Sequence, residues 1–114
     1  MSKQDDFDFY CDVVLKKDAK VEKIFENEKV VAYYHTKPFW EKHIVVIPKQ
    51  HVWDVRYVDD ASLFSELLAV CRDILKTIPQ KELDEKGAQI LTNVGKFQDT
   101  PHLHFHIAIG NKII

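Results

Sequence analysis

One stretch constrains this chain more than any other: Pro101-His102-Leu103-His104-Phe105-His106-Ile107-Ala108-Ile109. Three histidines alternate there with apolar residues. A β-strand sends successive side chains to opposite faces. The alternation predicts a strand with Leu103, Phe105 and Ile107 against a core and His102, His104 and His106 together on the other face. Packing does not need three titratable rings in a row, so the histidines point to chemistry.

The chain has 114 residues, one domain's worth, and a single domain over 1–114 is expected. An apolar fraction of 46% and a charged fraction of 30% are those of an ordinary globular protein. The formal net charge is −2 and basic residues form no patch, so no nucleic-acid partner is expected. There is no apolar run long enough for a membrane span and no secretory signal after Met1. Cys11 and Cys71 lie far apart and outside any CxxC motif, which fits free thiols in the cytoplasm.

In chain order, residues 1–8 are polar and expected to be loosely held. Residues 9–15 are the first apolar run, a short helical turn or strand. Residues 20–26 and 29–34 read as a hairpin turning at Asn27-Glu28. Residues 43–47, ended by Pro48, are nearly all apolar, as a central strand buried on both faces would be. Asp59 or Asp60 can cap a helix in which Leu63, Phe64, Leu67, Leu68, Cys71, Ile74, Leu75 and Ile78 recur at three- and four-residue steps. That helix would run about 18 residues, stop near Pro79 and bury Cys71. Residues 80–87 read as a charged loop, 89–94 as a strand ending at Gly95, and 96–100 as a polar loop. The class is α+β: a mainly antiparallel five-stranded sheet with one long helix.

Same-face histidines have three readings. Alternate residues on a strand are roughly 6.6 Å apart, so three on one straight strand converge poorly on a metal. A half-solvated polar face explains one histidine better than three, with His43 heading a neighbouring strand. The third reading is work on a phosphate. A neutral imidazole can attack phosphorus while its neighbours donate hydrogen bonds to the phosphoryl oxygens. Adjacent rings discourage each other from charging, so one neutral and one protonated ring are expected to share the site.

His102-Leu103-His104-Phe105-His106-Ile107-Ala108 resembles the signature of the histidine triad (HIT) superfamily of nucleotide hydrolases and transferases. His43 to Pro48-Lys49-Gln50-His51 resembles the family's His-x-x-φ-φ-Pro-Lys-x-His stretch, where φ is apolar. Asn93-Val94-Gly95, Gln98 four residues before His102, and the hairpin from Ile24 to Tyr33 also match. The similarity spans roughly residues 9–110. It implies a HIT-like fold that dimerises by joining two sheets, and a purine nucleotide substrate such as an AMP derivative. It implies a phosphoramidase or dinucleoside polyphosphate hydrolase that moves a nucleoside monophosphate to the middle histidine and then to water, with no cofactor. Carried over, His104 is the nucleophile, His106 and Gln98 contact the α-phosphate, and Asn93 helps to hold it. His102 and His43 orient the network. Tyr10, Val13 and Tyr33 fall where the family's base and ribose pocket lies.

The chain departs from the pattern at three places. His35 stands where the family often has a carboxylate on the ribose. Asp99 stands where many members have a small hydroxyl residue, with Thr100 beside it as another hydroxyl, and the loop is expected to alter leaving-group preference. Members with a structural zinc carry two N-terminal cysteines; here the first position is Asp8 and only Cys11 remains. No metal is expected, and a mixed site of Asp8, Cys11, His51 and His102 is the weaker alternative. A nucleotide-binding module with poor turnover is the competing functional class.

Overall fold

The structure is a computed structural model and describes residues 21–114. The expectations for residues 1–8 and 9–15, and the positions of Asp8, Tyr10, Cys11 and Val13, lie outside the described residues. The elements are β1 (Lys23–Glu26), β2 (Val30–Tyr34), β3 (Trp40–Pro48), α1 (Ala61–Lys76), α2 (Gln80–Lys86), β4 (Ala88–Thr92) and β5 (Phe105–Lys112). The five strands form one antiparallel sheet in the order β1-β2-β3-β5-β4. The apolar strand β3 is central, as its composition predicts.

Both faces of the sheet centre are buried. Val30, Ala32, Ile44, Val46, Leu103, Phe105, Ile107 and Ile109 face α1 and pack with its Leu63, Leu67, Val70, Cys71 and Ile74. On the other face Val31, Tyr33, Val45 and Ile47 form a second cluster. His43 and His106 belong to this second face by strand alternation. Burial pushes the Cys71 thiol up to about 11, the mark of an inert core cysteine.

Helix α1 starts at Asp60, whose side chain accepts from the Ser62 N–H. The hairpin turn is an Asx turn: Asn27 Oδ1 accepts from the N–H groups of Lys29 and Val30, both at 2.8 Å. Strand β1 is shorter than expected and β3 longer, because Trp40, Glu41 and Lys42 pair with β5 across a bulge. Gly110 serves that bulge with φ +86, and a Cβ there would come within 2.7 Å of the Glu41 carboxyl group.

The charged segment 80–87 is not a loop but α2. Pro79 leads into it, Gln80 bonds Asp84 one turn on, and Lys42–Glu82 and Lys86–Glu41 ion pairs tie it to β3. Gly87 (φ +75) ends it by donating to the Leu83 carbonyl. A helix that buries no residue leaves no apolar stripe in the sequence, which is why charge alone suggested a loop.

The core account predicts that Leu67→Ala, at a fully buried position against the sheet, costs about 2–5 kcal/mol in urea unfolding. Leu68→Ala, on the 44% exposed side of the same helix, should cost under about 0.5 kcal/mol. Equal effects would place the core elsewhere.

Candidate active site

The expected single strand of three histidines is not what forms. Strand β5 begins at Phe105, so only His106 is a strand residue. Pro101 has no N–H, the His102 N–H turns back to the Thr100 carbonyl (2.7 Å), and the Leu103 N–H bonds the Val52 carbonyl (2.6 Å). The ladder with β3 and β4 starts only after these bonds. The facing pattern survives: Leu103, Phe105 and Ile107 enter the core beneath α1.

His43, His102, His104 and His106 are all at most 3% exposed. His106 pairs across the sheet with Val45, and His43 with Ala108, so the two histidines are diagonal neighbours on one face. Ala108 leaves room opposite the His43 ring. The rings of His104 and His106 meet edge to face at 4.5 Å, those of His106 and His43 lie 4.9 Å apart, and His35 stacks on His43 at 4.3 Å. Trp40 closes the far side of His43 edge-on at 5.0 Å.

Backbone groups fix the proton positions. The Phe39 N–H donates to His43 Nδ1 (3.0 Å), so a neutral His43 carries its proton on Nε2. That nitrogen is 2.7 Å from His106 Nδ1 and donates to it, which leaves the His106 proton on Nε2. His104 Nδ1 is 2.9 Å from the carbonyl of His102, which can only accept. The proton of a neutral His104 is therefore on Nδ1, and its Nε2 is the unprotonated nitrogen. His102 Nε2 donates to the Pro48 carbonyl at the end of β3 (2.9 Å). The Thr92 hydroxyl donates to the His104 carbonyl (2.7 Å), pinning the same segment to the end of β4.

Burial is the first cause of low basicity throughout. It depresses His43 to about 4 and pushes His106 far down, with neighbouring histidines adding to both. It also lowers His104 and His35, against the opposing pull of the Asp99 carboxylate on each. Burial thus holds His35, His43, His104 and His106 toward the neutral form.

The remaining positions fall around this line of rings. His35 is half-buried, and its Nδ1 accepts from the Lys37 N–H (2.9 Å), so its Nε2–H is a donor rather than a carboxylate-like acceptor. Gln98 is buried, with Nε2 donating to the Trp53 carbonyl (2.6 Å) and Oε1 unpartnered among the described residues. Asn93 and Thr100 are half-buried at the ends of the loop that carries exposed Asp99. Tyr33 sits inside the second apolar cluster at 2% exposure, behind the histidines rather than open to a ligand. His51 is exposed, with its ring edge-on to His102 at 5.2 Å. Among the described residues no group of three or more metal-ligating side chains gathers, and no helix is long and apolar enough to cross a membrane. An apolar cleft of about 210 Å³ between β1 and α1, lined by Phe25, Val70 and Ile74 among others, holds no histidine.

Comparison with known proteins agrees with this geometry. The HIT domain model matches residues 16–113, and the chain belongs to the HIT family. A HIT-like protein of Helicobacter pylori is 35% identical over 102 residues, covering 87% of this chain and 93% of that protein. An adenosine 5′-monophosphoramidase of Danio rerio is 29% identical over 100 residues, covering 86% of this chain and 61% of that one. A histidine triad protein from Clostridium difficile superposes with a TM-score of 0.76 at 27% identity, covering 94% and 93% of the two chains. At this level the family is one of nucleotide hydrolases.

The low basicity of the rings makes stability depend on pH with a definite sign. Unfolded histidines titrate near 6.5, above His43 in the fold at about 4. As pH falls through that window the unfolded chain takes up protons that the fold refuses. The urea midpoint should be level from pH 8 to 7 and drop progressively from about 6.5 to 4, with a shallower drop in His43→Gln. A midpoint unchanged across that window would contradict the buried neutral rings.

Proposed function

We propose that this chain hydrolyses nucleoside 5′-phosphate derivatives by passing the nucleotidyl group to His104 and then to water. The observation that carries the reading is the bond from His104 Nδ1–H to the His102 carbonyl, which makes Nε2 the unprotonated nitrogen of a buried neutral ring. The Nε2 lone pair attacks the α-phosphorus, and the bond to the leaving group breaks with its electron pair on the departing atom. A departing amine takes one proton from water. The nucleotidyl-histidine is then cleaved by water, and the electron pair of the P–N bond returns to Nε2.

His106 supplies a donor for a phosphoryl oxygen, oriented by the chain Phe39 N–H, His43, His106. The second N–H of Gln98 Nε2 and the side chain of Asn93 complete the phosphate cradle. His102 acts as a positioning residue by holding its segment to Pro48. The name of the Danio rerio relative supports an AMP derivative as substrate. Strand β4 lies at the sheet edge, with Ala88, Gln89 and Ile90 exposed, and supports a homodimer built by pairing two such edges. An anion, Asp99, beside the rings favours one second reading, a nucleotide-binding module with weak turnover.

Release of AMP from adenosine 5′-phosphoramidate and from diadenosine tetraphosphate, measured in EDTA, tests the proposal. Wild type should turn over at least one substrate, and His104→Ala should lose about 10³-fold or more in kcat while still binding AMP. AMP binding without turnover in wild type would favour the module. Because His104 is held below its ordinary value, kcat/KM should stay level from pH 8 to 6.5 and fall only in more acidic solution. A limb falling with an apparent pKa above 6.5 would contradict a neutral nucleophile.

A further inference from the structure

We propose that Asp54 is a positioning residue for the phosphate cradle, setting the two main-chain carbonyls that hold Gln98 and the entry to β5. The proposal rests on the transfer to His104, in which Gln98 meets the phosphate. Asp54 is fully buried, between Val52 in the core beneath α1 and Val55, which packs against that core. Its Oδ1 accepts from the Arg56 N–H and from Arg56 Nε, both at 2.9 Å, and its Oδ2 accepts from Arg56 Nη2 at 2.8 Å. Its carbonyl accepts from the Tyr57 N–H (3.0 Å), which closes a single 3-10 turn at Val55–Tyr57.

Capping that turn asks for one side-chain oxygen, which Asn or Ser supplies without a charge. A buried carboxylate loses hydration, and an ion pair with a side chain as exposed as Arg56 (58%) returns little stability. What the charged fork adds is direction. Two parallel bonds from one guanidinium fix the plane of the carboxylate, and the guanidinium is itself laid over the Tyr57 ring at 5.0 Å. The backbone at Asp54 is held extended by these contacts.

The two residues before Asp54 use that direction. The Val52 carbonyl accepts from the Leu103 N–H, and the Trp53 carbonyl accepts from Gln98 Nε2, both at 2.6 Å. Consecutive carbonyls of one segment therefore grip both ends of the loop 98–103. Next to those grips the Gln98 N–H bonds the Gly95 carbonyl and the His102 N–H bonds the Thr100 carbonyl. The loop thus has a shape of its own and takes its placement from residues 52 and 53. Leu103 is also locked in the core beneath α1, so a loosened segment frees the Gln98 side chain first.

The test follows AMP release from adenosine 5′-phosphoramidate and from diadenosine tetraphosphate in EDTA, and solvent exchange of the Gln98 side-chain amide by ¹⁵N NMR. The variants are Asp54→Asn and Arg56→Gln, each alone and combined with Gln98→Ala. Each single variant should speed the Gln98 amide exchange about tenfold and lower kcat about tenfold, by no more than Gln98→Ala does. In the Gln98→Ala background neither should cost more than about twofold further, because the group through which Asp54 acts is gone. Arg56→Gln keeps the bond from the N–H of residue 56 to Asp54, and it carries the test should Asp54→Asn fail to fold. A merely structural role would lower kcat alike with and without Gln98. Equal losses in the two backgrounds, or an unchanged amide exchange, overturn the proposal while leaving His104 transfer intact. Release from neither substrate by wild type overturns the transfer itself, and the amide exchange then decides alone whether Asp54 places Gln98.

Discussion

The site depends on hydrogen bonds between imidazole rings and the main chain. A neutral imidazole has one donor and one acceptor nitrogen, and which is which cannot be set by the ring alone. Here the Phe39 N–H takes one side of His43, the Pro48 carbonyl one side of His102, and the His102 carbonyl one side of His104. Each backbone group removes a choice. The remaining choice, at His106, is settled by His43. The result is a row of buried rings with defined tautomers, in which the unprotonated nitrogen is Nδ1 on His43 and His106 and Nε2 on His104.

Those backbone groups are in place because of the sheet. Strand β3 carries His43 at its centre and the Pro48 carbonyl at its end, β5 carries His106, and β4 ends at Thr92, which holds the His104 carbonyl. The core beneath α1 anchors the alternate residues Leu103, Phe105 and Ile107, so the histidines cannot rotate out of the opposite face. Burial then does the electrostatic work. A ring that is poorly solvated resists protonation, and neighbouring histidines lower His43, His104 and His106 further.

Much of this was legible in the sequence. Alternation at 102–107 gave the two faces, the apolar run at 43–47 gave the central strand, and the spacing from Leu63 to Ile78 gave α1, with the cap open between Asp59 and Asp60 until the structure placed it at Asp60. The motif placed His43 beside the triad although 63 residues separate it from His106. Three things were not legible. Helix α2 buries nothing, so it has no periodic signal. The start of β5 is set by where Val52 and Thr100 accept hydrogen bonds, which is tertiary information. The atoms that fix the tautomers belong to Phe39, Pro48 and the main chain of His102, and a main-chain group has no letter in a sequence. Like-charge repulsion among the rings is visible in the motif, whereas the depth of burial that lowers His43, His104 and His106 is not.

The most direct test is the tautomeric state of each ring, read by long-range ¹H–¹⁵N correlation on ¹⁵N-histidine-labelled protein near pH 7. The account predicts neutral rings for His43, His104 and His106, with the proton on Nδ1 of His104 and on Nε2 of the other two. A His104 carrying its proton on Nε2, or appearing as an imidazolium at that pH, would contradict it, because the nitrogen required to attack phosphorus would then have no lone pair to offer.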